Sequence, residues 1–192
     1  GQLLRTLSLP LKDDQEIWAI TADGRYALTR AWKEYTMRLW SLEGTISELS
    51  AFPFSSNETP FTQNHYAASP DAKYVLVGDQ DGATHLYEAD SGKEIRTFKN
   101  NGAVTSVTFS PDSKTMLISS MDQTTRLLDV QTGEELRQIP QSEYAWGAAF
   151  SPDGNSVILG ALTGLVRVWD VRHQPELPVF KGHTDAVNGV AF

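Results

Sequence analysis

Apolar and polar residues alternate along the chain in short runs, and the runs come in fours. Val104–Phe109 is the first of one such set, followed by Lys114–Ser119, Thr124–Asp129 and Glu134–Ile139. The runs are rich in Val, Ile, Leu, Thr and Phe and are bounded by Gly, Pro, Asp and Ser, the pattern of β-strands separated by tight turns. A turn every 8–12 residues or so leaves no room for ordinary helices. Apolar residues are dense in the first three runs of a set and sparser in the last. The pattern predicts an all-β chain of small four-stranded antiparallel sheets, each buried on both faces inside and wet at its outer edge.

The sets repeat. Thr21-Ala22-Asp23-Gly24 returns as Ser69-Pro70-Asp71-Ala72, Ser110-Pro111-Asp112-Ser113 and Ser151-Pro152-Asp153-Gly154, at steps of 48, 41 and 41 residues. Arg38-Leu39-Trp40-Ser41 returns in step as His85-Leu86-Tyr87-Glu88, Arg126-Leu127-Leu128-Asp129 and Arg167-Val168-Trp169-Asp170. A third marker is Glu43-Gly44, Ser91-Gly92 and Thr132-Gly133. Three markers sharing one period identify a repeat architecture. The longer first step places an insert, Ser50–Pro60, between the first two units. Two Phe and two Pro there point to a loop that packs as a lid or makes contacts.

Composition narrows the chemistry. The 192 residues carry a net charge of −8, which disfavours binding to phosphate backbones. The absence of cysteine excludes disulfides, Cys-ligated zinc and thiol nucleophiles, and fits a reducing compartment; the cytoplasm is the expected location. No apolar run approaches a membrane span, and the first residues lack signal-peptide character, so no membrane partner is expected. There is no Gly-x-Ser-x-Gly, no phosphate-binding loop and no His-Glu-x-x-His. His65, His85, His173 and His183 show no metal-ligand spacing. Asp79-Gln80-Asp81-Gly82 lacks the later ligands of a calcium loop and reads as a turn. Asn57-Glu58-Thr59 is a formal glycosylation acceptor, expected to be idle without a signal peptide. No catalytic residue, cofactor or metal is expected.

The markers, with Trp169-Asp170, the Ser-Pro-Asp turns and the closing Gly182–Phe192, resemble the WD-repeat (Trp-Asp repeat) β-propeller family over essentially the whole chain. The resemblance implies radially arranged four-stranded blades, with each first strand lining a central channel. It places blade one at 11–52, blade two at 61–99, blade three at 102–140 and blade four at 143–181. Residues 1–8 then read as an orphan outer strand, and 183–192 as the first strand of a truncated blade. A seven-bladed ring at the family period needs about 290 residues, so the expectation is a segment of a longer array with apolar flanks on its end blades.

In the family a His, a Ser/Thr, an Asp and the Trp form a hydrogen-bonded set within a blade. Carried over, that set is incomplete here. Thr29 and Trp40 match in blade one, Asp81 in blade two, Asp122 in blade three, Trp169 in blade four and His183 in the truncated blade. The family His position is otherwise filled by Leu11, Thr59, Asn100 and Gln141. Binding positions on the face formed by the blade-joining loops carry over as Asp14, Glu16 and Trp32; Thr62, Asn64 and Gln80; Ala103, Thr105 and Met121; and Tyr144, Trp146 and Leu162. Met121, Tyr144, Trp146 and Leu162 are expected to form an apolar patch, with Trp146 exposed.

The resemblance implies a non-catalytic scaffold or sensor segment that binds a protein or peptide on that face. The even, degenerate repeats resemble arrays in large bacterial signalling proteins, where they often follow a kinase or nucleoside-triphosphatase module. A propeller enzyme needs convergent carboxylates, His or metal at the channel, for which only Asp14 and Glu16 are offered. A purely structural array is the third reading.

Overall fold

The computed structural model describes residues 8–12, 14–20, 24–31, 33–34, 36–53, 65–161, 163–171 and 176–181. Among them there is no helix, and the strands form four antiparallel sheets of four strands. The first holds β1 (Gln15–Ile20), β2 (Tyr26–Ala31), β3 (Thr36–Ser41) and β4 (Ser47–Pro53). The second holds β5 (His65–Ala68), β6 (Tyr74–Gly78), β7 (Ala83–Glu88) and β8 (Glu94–Lys99). The third holds β9 (Val104–Phe109), β10 (Thr115–Ser120), β11 (Thr124–Asp129) and β12 (Glu135–Pro140). The fourth holds β13 (Ala145–Phe150), β14 (Ser156–Ala161), β15 (Leu165–Asp170) and β16 (Glu176–Lys181). Each is a meander in chain order.

The recurring Ser-Pro-Asp phrase makes the first turn of each of the last three sheets by one device. The hydroxyls of Ser69, Ser110 and Ser151 donate to Asp71, Asp112 and Asp153 at 2.6–2.7 Å. They also accept the N–H of Tyr74, Thr115 and Ser156, each at 2.9 Å, where the next strand begins. The Ser110 hydroxyl holds the Asp112 carboxyl below its ordinary range. The fourth turn residue lies in the left-handed region, at φ 55° for Ala72, 62° for Ser113 and 71° for Gly154. The chain reverses there whether or not glycine is present, at some strain in the first two cases.

The core lies between the sheets. Leu28, Met37, Leu39 and Phe52 of the first pack on Tyr66, Val75, Val77 and Tyr87 of the second. Leu76, Leu86 and Phe98 meet Val107, Phe109, Met116 and Ile118 of the third. Leu117, Leu127 and Ile139 meet Phe150, Val157 and Leu159 of the fourth. Successive first strands adjoin, β5 against β9 and β9 against β13. Ile20, Ala67, Ala68, Thr108, Phe109 and Ala148, drawn from all four first strands, border one cavity of about 260 Å³. The sheets are thus propeller blades with their first strands inward. At Gly78 a Cβ would run into the Val104 side chain, so the second and third blades close up only over glycine.

The outer strands are wet, as the pattern predicts: β8 and β12 each bury a single residue, Phe98 and Ile139. A register shift in β4, β8 and β12 leaves Leu49, Ile95 and Leu136 out of the pairing and 38%, 44% and 51% exposed. Such bulges discourage another strand from adding to the edge.

One expectation is corrected. Ser50–Pro53, read as the start of a lid-like insert, belongs to β4, and Phe52 is fully buried between the first two blades. Alternation carries β4 past the point where the repeat count ends it. The rest of the insert, residues 54–60, lies outside the described residues, as do 1–7 and 182–192.

Candidate partner-docking face

A meander that starts inside brings its second turn and the loop to the next blade to the same edge. The turns 79–82 and 121–123 and the loops 100–103 and 141–144 therefore share one face. Hydrogen bonds lock them together. Asn100 N–H donates to Gly82 O at 2.8 Å and Val104 N–H to Asp79 O at 2.9 Å. Met121 N–H donates to Ala103 O, and Gln141 N–H to Gln123 O, both at 2.8 Å. Asp122 is the strongest tie. One carboxylate oxygen accepts the N–H and hydroxyl of Thr124, at 3.0 and 2.6 Å, and the other accepts Asn101 N–H at 3.0 Å.

Met121 is 41% exposed and Tyr144 39% exposed on this face. They stand on joined segments of adjoining blades: Gln141, which bonds to the turn that carries Met121, opens the loop that carries Tyr144. Trp146 is half-buried, not open as expected. It is the residue left out of register where β13 pairs with β14. Thr105 departs further. It is 1% exposed, and its hydroxyl donates to Ala145 O at 2.5 Å. It joins blade three to blade four and presents nothing to a partner. Gln80 is exposed and Ala103 half-buried. On blade one Asp14 is half-buried and Glu16 exposed, with Glu16 Oε1 3.4 Å from the buried Arg30 guanidinium. Trp32, Thr62, Asn64 and Leu162 lie outside the described residues.

The carried-over structural set is dispersed. Trp40 Nε1–H donates to Thr29 Oγ1 at 2.8 Å in blade one. In blade four Trp169 Nε1 is buried with no hydrogen-bond partner among the described residues, because Leu159 stands where Thr29 does. The Arg137 guanidinium lies 5.9 Å over its ring instead. Asp81 holds the position of Asp122 yet is exposed, and the loop it would tie, 54–64, lies outside the described residues, as does His183. Asn100 and Gln141, at the family His position, act through the backbone hydrogen bonds above. Asn100 adds Nδ2–H to Gly82 O at 2.9 Å.

The turns and loops of this face are acidic in sequence. The turns 79–82, 121–123 and 163–164 and the loops 100–103 and 141–144 contain Asp79, Asp81, Asp122 and Glu143 and no Lys or Arg. His65 begins β5 at the same edge, and burial pushes its pKa down to about 4, so near neutrality it adds no cation. Among the described residues no group of three or more His, Asp or Glu is placed to hold a metal ion.

A comparison with curated proteins finds no match. The family model described as "WD domain, G-beta repeat" matches residues 92–129 and 133–170. Each match begins at a left-handed glycine, Gly92 or Gly133, and ends at the last residue of a third strand, Asp129 or Asp170. The sequence repeat therefore spans the outer strand of one blade and the three inner strands of the next, β8 with β9–β11 and β12 with β13–β15. Such a stagger stitches each blade to its neighbour through a continuous segment. Residues 92–129 and 133–170 are thus WD repeats, and the four-stranded blades they build are those of a WD-repeat architecture.

Proposed function

We propose that this chain is a non-catalytic docking segment that holds a protein or peptide on the loop face of blades three and four. WD repeats generally mediate protein–protein contacts. The observation that carries the placement is the pair of large apolar side chains, Met121 and Tyr144, standing exposed on hydrogen-bonded loops of adjoining blades. Rigid loops lose little entropy on binding, and an exposed aromatic is the residue type from which interface hot spots are built.

Site-specific photo-crosslinking tests this. A crosslinker at 121 or 144 is expected to capture a partner in cells that one at 136, on the circumference, does not. Tyr144→Ala is expected to weaken that partner's binding by about 2 kcal/mol, the scale of a hot spot, with an unchanged Tm. Capture through position 136 alone overturns the placement.

A further inference from the structure

Resting on the docking reading above, we propose that the segment received by this face is a short peptide stretch in which Lys or Arg flanks an aromatic or aliphatic anchor. Each exposed anchor has a carboxylate as its chain neighbour, Asp122 beside Met121 and Glu143 beside Tyr144. Blade two extends the same sign with Asp79 and the exposed Asp81. The carboxylates are fixed in place. Asp122 is held by Thr124 and Asn101. Asp79 Oδ1 accepts Ala83 N–H at 2.8 Å. Glu143 accepts the Thr163 hydroxyl.

Two cations reach these loops from third strands. Arg126, paired with Glu135 at 2.6 Å, also donates to Asn100 Oδ1 at 3.3 Å, and Arg167 donates to Ser142 Oγ at 2.8 Å, so the four carboxylates outnumber the guanidiniums, and that of Arg126 is already paired. Blade one differs, because Lys12 and Lys33 stand among Asp14, Glu16 and Glu34, so the excess of carboxylates is larger on blades two to four. A rigid apolar patch rimmed by an excess of one charge attracts the opposite sign, steers its approach and repels acidic competitors. An extended segment suits the site, since the two anchors lie on separate loops and four carboxylates follow the blades around.

A random 12-residue peptide library selected on the protein, with counter-selection on Tyr144→Ser, decides the matter. The expected winners carry Lys or Arg within a few residues of an aromatic or aliphatic side chain. Their affinity should fall with added salt and should drop about fivefold or more in Asp81→Lys/Glu143→Lys, a variant that touches no buried residue. Winners that are neutral or acidic, or insensitive to salt, but still lost on Tyr144→Ser, overturn the charge preference and leave the docking face standing. Winners that bind Tyr144→Ser as well as the parent overturn the docking face itself, and the basic-segment proposal with it. A library that yields no binder overturns the proposal, and the crosslinking experiment then decides the face alone.

Discussion

The junction between blades one and two and the junctions beyond it are built from the same kinds of residue and fastened differently. At the later junctions an outer-strand arginine reaches across. Arg96 of β8 donates to Thr132 O of blade three, and Arg137 of β12 donates to Asp170 O of blade four at 2.7 Å. Gly133 serves the first of these, since a Cβ there would run into the Arg96 guanidinium. Asp71 N–H adds a bond to Ser113 Oγ at 3.1 Å. Ser50 stands at the corresponding position of β4, and its buried hydroxyl has no hydrogen-bond partner among the described residues. That junction relies on apolar contact, with the Phe52 and Tyr87 ring centroids 5.4 Å apart. Equal burial therefore does not mean equal orientation: an arginine bond fixes the angle between two blades, whereas stacked apolar faces can slide.

The comparison breaks most sharply at Phe52. Phe52→Ala empties the center of the first junction, where Ser50 replaces the outer-strand arginine, and should cost about 3–5 kcal/mol, measured by denaturant unfolding. Hydrogen exchange should then show blade one losing protection before blades three and four.

Acid should probe blade two next. The unfolded histidine protonates near 6.5, while burial holds His65 neutral down to about 4. The unfolded chain therefore binds the proton first, so stability is full above pH 6.5 and is lost as pH falls toward 4. His65→Gln should flatten that part of a Tm-against-pH curve. The turn carboxylates Asp112 and Asp129 act in a lower window. Ser110 and Thr132 respectively hold them below the ordinary 3.8, so their contribution disappears only as pH falls through and beneath that value.

Arg137→Ala should cost about 1–3 kcal/mol, the worth of a charged hydrogen bond together with the stacking over Trp169. Arg137→Lys should recover only part of it, because a lysine cannot both stack flat and reach Asp170 O. The smallest effect sharpens the comparison from the other side. Ser50→Arg supplies the missing donor opposite the Ser91 turn and should raise stability by about 1 kcal/mol, narrowing the gap in exchange protection between the two junctions. A fall in Tm would show that the first junction has no room for the clamp.

Much of the fold was legible because it is local. A serine hydroxyl closing its own turn needs only its near neighbours, so Ser69, Ser110 and Ser151 announced three hairpins. Alternation placed the inner strands of blade three to within a residue. The candidate site was legible only as positions. Thr105 and Trp146 occupy equivalent places in β9 and β13, and nothing within either strand says that the threonine hydroxyl bonds to Ala145 while the indole stays half open. Phe52 was read as part of an insert because counting repeats ended its strand too early. Its burial comes from Tyr87, which is in another blade.

By itself the sequence determined the period, the strand and turn order and the acidic character of the loop face, since each follows from neighbours a few residues apart. Only the tertiary structure decided which equivalents of a repeated residue do which work. Trp40 has Thr29 to receive its N–H, while Trp169 meets Leu159 and turns to Arg137 from the preceding blade. The physical reason is that burial, hydrogen-bond satisfaction and exposure are set by side chains about 40 residues away in sequence, one repeat distant, on the facing surface of the next blade.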